Sequence, residues 1–488
     1  MERLTHSTLE KIGYDGFALA DAPIKVLQFG EGNFLRAFVD YFFDVLNEKG
    51  LFNGKITMVQ PIERGLTDII NEQEGLYTLY LRGAENGKPV MQKRIITSVD
   101  GCLSPYSRFD SFIECAKNPD LRYIVSNTTE AGIAYSDSDK FDDRPANTFP
   151  AKLTQLMYER FINFGSQAGK GFVILSCELI DNNGRELLNC VDKYINLWKL
   201  PKEFSDWVHS ENIFCSTLVD RIVTGYPRNE ADEFNKANGY EDKLLDTGEI
   251  FGFWVIEGPE KLKSELPFEK AGLPVLICDD HTPYKKRKVR ILNGAHTSLA
   301  PAAMLAGETI VRDCMNDAVL SKYVAKLVHD EIIPIIPLPK DELLSFADAV
   351  EDRFKNPYID HRLTDITLNS VSKWRARVMP SLIEYVEKSG NLPKLLTFSL
   401  AGLIRFYRCT EKNGAYFGKG EYEYTVRDSG DVCEYFSKTP SVKEILANKD
   451  FWGIDLNSVD GLCERVEEYI AMTDGTGVKE TLKTLLGE

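Results

Sequence analysis

The sequence predicts an α/β fold: a parallel sheet covered by helices in the first half of the chain, then a mainly α-helical second half. Two observations carry this. Short apolar runs rich in β-branched residues, at 24–29, 56–60, 123–126 and 172–176, alternate with stretches of helical spacing, the order that builds parallel strands joined by helices. Beyond about residue 280 strand-like alternation becomes scarce, and 310–332, 377–386 and 395–409 have helical spacing. Pro283, in the segment DDHTPYKK, favours a break. Domains are therefore expected at 1–280 and 281–488.

The remaining elements follow the same logic. LYTLYLRGAENGKPVMQKRIITSV reads as a hairpin turning near Asn86-Gly87, an antiparallel insertion between the second and third of the apolar runs. The runs 251–256 and 274–278 extend the sheet, and the last fifty residues or so read as a helical tail.

A chain of 488 residues with 43% hydrophobic and 27% charged residues is ordinary for a globular protein of more than one core. Its formal net charge of −16 repels phosphate backbones and anionic lipid, which argues against nucleic acid or a membrane surface as partner. An anionic substrate must then meet a local basic pocket, and the run Lys285, Lys286, Arg287, Lys288, Arg290 offers one. Ten scattered cysteines without a Cys-x-x-Cys pair indicate reduced thiols in a cytoplasm, and the six histidines and ten cysteines show no zinc-ligand cluster, so no metal is expected. The polar start MERLTHSTLEKIGYDG lacks the apolar run of a signal peptide, and no segment has transmembrane length.

In IKVLQFGEGNFLRAF an apolar strand runs through Phe29 into Gly30-Glu31-Gly32 and then into a helix beginning near Asn33 and Phe34. Glycines there permit a tight turn and close approach of backbone amides to a pyrophosphate, the arrangement of a Rossmann-type dinucleotide site. The third small residue of the full fingerprint is replaced by Leu35. The second strand ends at Gln60, which can hydrogen-bond a ribose but cannot repel a 2′-phosphate, and Arg64 is close by, so NAD and NADP both remain open locally. After the strand 123–126, the polar segment Ser126–Gly132, with Asn127 and Thr128, is suited to line the crevice near a nicotinamide and its ribose.

The segment KVRILNGAHTSLAP carries Lys288, Asn293 and His296. At about 100° per residue, Asn293 and His296 lie roughly 140° and 80° around a helix from Lys288, one broad face. Reduction of a ketone needs a proton donor and a group that holds the developing oxyanion; Lys288 can be the first and the Asn293 amide the second, with His296 orienting hydroxyls. In the oxidative direction Lys288 would be the base, its pKa lowered by desolvation and by Lys285, Arg287 and Arg290. Gly294 within this helix costs about 1 kcal/mol relative to Ala, which suggests close approach of a ligand or a neighbouring segment. Tyr284 and Lys288 have the Tyr-x-x-x-Lys spacing of short-chain dehydrogenases, but they stand at the entry to a second domain, not inside a single nucleotide-binding one.

Gly30, Gly32, Phe34 and Arg36, together with Lys288-x-x-x-x-Asn293-x-x-His296, resemble the long-chain mannitol dehydrogenase family of polyol and uronate oxidoreductases. The resemblance extends through ILSCELIDNNG, FCSTLVDRIVTGYP, FGFWVIEGP and RFKNPYIDHRLTDITLNSVSKWRARVMPSL. It implies a zinc-independent, NAD-dependent enzyme with substrate held between a Rossmann-type N-terminal domain and a mainly α-helical C-terminal domain. It further implies reversible reduction of the sugar acid tagaturonate to altronate; the alternatives are fructuronate reduction, a mannitol-type activity, or an NAD-binding sensor or scaffold. On the same analogy Asp220, Arg362 and Lys373 become substrate contacts. Polyol-oxidising relatives commonly have Ser-Cys-Asp-Asn where this chain has Ser176-Cys177-Glu178-Leu179, so the second oxyanion amide is missing and Asn183 is the nearby substitute. A uronate carboxylate needs its own cation, for which Arg362, Lys373 and Arg375 are the candidates. Oligomeric state is left open.

Overall fold

The computed structural model describes residues 1–19, 21–85, 88–129, 131–165 and 167–488. It divides into two compact units, one of Met1–Arg82 with Val90–His281, the other of Gly83–Pro89 with Thr282–Glu488.

The first unit is built on an eight-stranded sheet. Its strands are β1 Ile24–Phe29, β2 Lys55–Val59, β5 Val99–Leu103, β6 Tyr123–Ser126, β7 Val173–Ser176, β8 Ile213–Asp220, β10 Phe253–Glu257 and β11 Val275–Cys278. They lie in the order β11-β10-β8-β7-β6-β1-β2-β5. From β5 through β8 all neighbours pair in parallel, which is the strand order of a dinucleotide-binding sheet. β10 runs antiparallel to β8, and β11 parallel to β10. The late runs thus do extend the sheet, in reversed direction.

Alternation along each strand explains why both faces are covered. Val26, Met58, Val125 and Leu175 bury into one layer with Phe38, Phe42 and Trp254, while Leu27, Val59, Ile124 and Ile174 bury into the other with Phe112, Leu153 and Trp207. A sheet with neither face solvated needs near-continuous apolar strands, and these are the runs legible in the sequence. β5 escaped that reading because Asp100 and Gly101 interrupt it, and it lies at the sheet edge.

The segment read as a hairpin forms β3 Tyr77–Glu85 and β4 Lys88–Ile96, neighbours in a second sheet completed by β9 Asp246–Glu249, which pairs in parallel with β3. The predicted turn at Asn86-Gly87 lies outside the described residues.

The second unit is mainly helical. The helices Gly294–Leu305 and Lys394–Tyr407 are buried almost throughout, and they pack closely, with Gly402 facing Ala302. The helices Leu462–Thr476 and Val478–Leu486 form the tail. Within this mainly helical unit, β12 Cys409–Lys412, β13 Ala415–Lys419 and β14 Glu423–Val426 make a small antiparallel sheet. Its strands leave most of their side chains at least partly exposed, so the apolar signal is weak. No described helix is long and apolar enough to cross a membrane.

Candidate active site

In the first unit the C-terminal ends of β1, β2 and β6 carry the residues expected to bind a dinucleotide. Phe29 is buried, and Gly30 follows it at φ +122, where an added Cβ would stand 2.9 Å from the Asn127 carbonyl oxygen. The Gly30 N–H donates to the Val59 carbonyl at 3.0 Å, tying the turn to the end of β2. Gly32 has open space where a side chain would begin. A close-approach backbone turn with open space beside Gly32 fits a dinucleotide pyrophosphate such as that of NAD.

The flanking side chains are held by the fold. Asn33 accepts from Arg36 at 2.6 Å, and Arg36, itself buried, also donates to the Leu244 carbonyl at 2.5 Å. Phe34 stacks on Phe38. The Gln60 amide donates to the carbonyls of Ile62 and Glu63 and accepts from the Thr67 hydroxyl at 2.7 Å, so both of its ends organise the following loop. Asn127 donates to the Cys177 carbonyl at 2.7 Å.

Glu178 was not singled out by sequence reasoning as a positioning residue. Its Oε1 accepts from both the Thr128 N–H and the Thr128 hydroxyl at 3.0 Å, and its Oε2 accepts from Ser126 at 3.1 Å. Burial raises its carboxyl above the usual range, opposed by those donors. The visible signal was an acid two residues past β7, at the carboxyl end of a parallel strand.

Asn183, expected as a second oxyanion donor, is instead structural. It is buried, donates to the Glu178 and Thr217 carbonyls at 2.9 and 3.1 Å, and accepts from the Thr217 and Gly184 amides at 2.8 and 2.9 Å. Removing it leaves buried backbone groups unsatisfied. Asn183→Ala is therefore expected to destabilise the protein by about 2–4 kcal/mol, read as a lower melting temperature and denaturation midpoint; an unchanged midpoint refutes the structural assignment. Leu179, by contrast, is 65% exposed. Asp220, proposed as a substrate contact, ends β8 and is buried.

Glu257, Asp280 and His281 bring possible ligand atoms within 4.8 Å of one another, a grouping the search for metal spacing missed. The His281 ring lies 2.5 Å from Glu257, which also pairs with Arg185. Burial would raise the Glu257 carboxyl, but His281 and Arg185 hold it below the usual range, as in an ion-pair network.

In the second unit the catalytic segment departs from the expected helix. Lys288–Asn293 forms a π-helical turn, after which Gly294–Leu305 is α-helical. Bonding from i to i+5 widens the turn, so residues five apart, Lys288 and Asn293, stack more nearly than the α-helical angle allowed; such turns recur at functional sites. An added Cβ at Gly294 would sit 3.3 Å from the Arg377 carbonyl oxygen, so the close approach expected there is that of a neighbouring segment.

Lys288 and Asn293 are half-buried, and the Asn293 side-chain amide makes no hydrogen bond among the described residues. The His296 ring stacks on Phe354 at 4.0 Å between centroids and meets His361 edge-on at 4.9 Å. Its buried Nε2 has no hydrogen-bond partner. Burial, then the charges of His361, Arg353 and Arg377, push its pKa well below the ordinary histidine value, so it is neutral near pH 7. A neutral imidazole with an unpartnered nitrogen can donate or accept at a substrate hydroxyl.

Three cations of the basic run are paired with carboxylates of the protein. Lys286 and Arg290 both pair with Glu384 at 2.9 Å, and Arg287 pairs with Glu342 while lying over the Phe346 ring. Their cationic field is largely cancelled by these carboxylates. The arginines whose charge reaches His296 are Arg353 and Arg377. Lys373 donates to the Ile366 carbonyl at 2.9 Å, and burial with the charge of Arg377 lowers its pKa. Arg377 is half-buried, reaches only the Thr297 hydroxyl at 3.4 Å, and has no carboxylate partner among the described residues. Arg362 is exposed, and Arg375 lies outward against the Asp450 carbonyl. Arg377 was missed, although its i, i+4 spacing from Lys373 puts the two on one helix face, which Arg375 does not share.

Comparison with known proteins adds to this geometry. Residues 24–270 match the model of the mannitol dehydrogenase Rossmann domain, and residues 280–473 that of the mannitol dehydrogenase C-terminal domain. An altronate oxidoreductase of Escherichia coli O17:K52:H18 is 46% identical, with 98% of this chain and 99% of that protein aligned. One from Enterobacter sp. strain 638 is 48% identical over 91% of this chain and 93% of its own length. Among solved structures, Pseudomonas fluorescens mannitol 2-dehydrogenase, in a ternary complex with NAD and D-mannitol, superposes with a TM-score of 0.70 at 22% identity, covering all of both chains. A substrate-free D-sorbitol dehydrogenase gives 0.77 at 20% identity, over 98% of this chain and 100% of its own. These two structures bear on the fold alone.

Proposed function

Because the chain belongs to the mannitol dehydrogenase family, we propose that it catalyses the reversible, NAD-linked reduction of D-tagaturonate to D-altronate. The observation that carries this reading is the π turn bearing Lys288 and Asn293, followed by His296, whose pKa is lowered in part by Arg377, an arginine with no carboxylate partner among the described residues. The substrate is supported by near-full-length identity with altronate oxidoreductases.

When bound, the reduced nicotinamide supplies a hydride to the carbonyl carbon. The turn Gly30–Gly32, with Phe29, Asn33 and Phe34 behind it, receives the pyrophosphate, and Asn127 and Thr128 line the ribose. As the carbonyl electron pair moves onto oxygen, the Lys288 ammonium gives that oxygen its proton, and the Asn293 amide N–H holds the growing charge. In the oxidative direction Lys288 takes the proton back. His296 orients a neighbouring hydroxyl, with Asp220 and Lys373 as further substrate contacts. Arg377 holds the carboxylate, with Arg362 as the exposed alternative.

The purified protein should consume NADH fastest with tagaturonate when tagaturonate, fructuronate and fructose are offered separately. Preference for fructose would replace the sugar-acid assignment with a polyol one. NADH binding without turnover of any of the three would make the protein a sensor.

A further inference from the structure

In a dinucleotide-binding sheet, an acid at the end of the second strand commonly grips the adenosine ribose and repels a 2′-phosphate. Here that position is Gln60, and its amide is fully engaged by its own loop. A carboxylate nevertheless reaches the same place from the neighbouring strand. Glu31, the middle residue of the glycine turn, is 8% exposed, and its Oε1 accepts from the Leu66 N–H at 3.4 Å. A Cβ added at Gly65 would lie 2.1 Å from Glu31 Oε1 and 2.6 Å from Gln60 Oε1, so both side chains crowd one point over the end of β2. The Gly30 bond to Val59 holds the turn there.

Glu31 is under-satisfied for a buried acid. Its hydrogen bond from Leu66 is long at 3.4 Å, and no lysine, arginine or histidine among the described residues forms a salt bridge with it. Burial raises its carboxyl, opposed by the nearby amides and Arg36. Ribose hydroxyls would provide the donors it lacks, whereas a phosphate would add like charge.

We propose that Glu31 is the residue that selects NAD over NADP, accepting the adenosine ribose hydroxyls from the first strand's turn where other sheets use an acid on the second. The inference rests on the reading of this turn as the dinucleotide site. Arg64 is an exposed cation on the same loop and would act in the opposite sense.

The test is substrate-free binding of NADH and NADPH, followed by nucleotide fluorescence, in wild type and Glu31→Gln. Wild type should prefer NADH, and in E31Q that preference should fall by about tenfold or more as the like-charge repulsion is removed. Displacement of NADH by ADP-ribose and by its 2′-phosphate should show the same shift, which places it at the adenosine end. A purely structural role would weaken both nucleotides equally; that result, or a wild-type preference for NADPH, overturns the inference. If E31Q does not fold, Glu31→Asp, which keeps the charge but withdraws it, should move the ratio the same way by less, and an unchanged ratio counts against the inference. Wild type that binds neither nucleotide removes the underlying reading as well, so the two failures are distinguishable.

Discussion

Lys288→Ala is expected to lower kcat/KM for tagaturonate reduction by about 10²–10⁴-fold, the range supplied by a positioned general acid, while NADH binding stays within about twofold of wild type. The side chain opens the π turn, with Asn293 one wide turn further along. Its neighbours Lys286, Arg287 and Arg290 are matched by Glu384 and Glu342, so those three ion pairs do not depend on the Lys288 ammonium. The loss is expected to fall on the proton-transfer step, with the melting temperature as the check that the fold is kept. Pre-steady-state NADH consumption would show it as a slowed chemical phase, and an added small primary amine should restore part of the rate. Wild-type turnover in the variant would remove Lys288 from the mechanism.

The contrast between Lys288 and its neighbours shows what the sequence could and could not reveal. Periodicity identified β1, β2, β6, β7 and the buried helix Lys394–Tyr407, because burial on both sides leaves long apolar runs. It missed β5, where Asp100 and Gly101 sit in a short edge strand. The catalytic segment was recognisable by composition, but its geometry was not. An i to i+5 turn has the same residues as an α-helix, and only the backbone distinguishes them.

Hydrogen-bond satisfaction was the other hidden quantity. Asn183 and Asn293 are both amides near the expected chemistry, yet Asn183 is saturated by groups from β8, whereas Asn293 has no such partners among the described residues. Sequence gives the inventory of donors, and tertiary structure decides which remain available. The same applies to cations. Lys286, Arg287 and Arg290 looked like an anion site because their signs are visible, while Glu342 and Glu384, which neutralise them, are distant in sequence.

That accounting singles out Arg377 for the second large effect. A guanidinium that is half-buried, held only by a 3.4 Å contact to Thr297 and close enough to His296 and Lys373 to depress both, is the candidate to hold the substrate carboxylate. Burial also lowers the arginine's own pKa, a cost that a bound carboxylate would offset. Losing a charge-assisted pair is worth about 1.5–3 kcal/mol, so Arg377→Met should raise KM for tagaturonate by about 10–100-fold. The effect on kcat should be smaller, and NADH affinity should not change. Fructose has no carboxylate, so whatever reduction of it can be measured should be nearly unaffected, and the specificity ratio should shift toward it. Arg377→Lys, retaining charge without the planar fork, should recover part of the loss. Arg362→Met is the matched comparison. If it, and not R377M, carries the carboxylate-specific penalty, the exposed arginine is the anchor; equal losses on tagaturonate and fructose in R377M would mean that Arg377 supports the pocket without reading the acid.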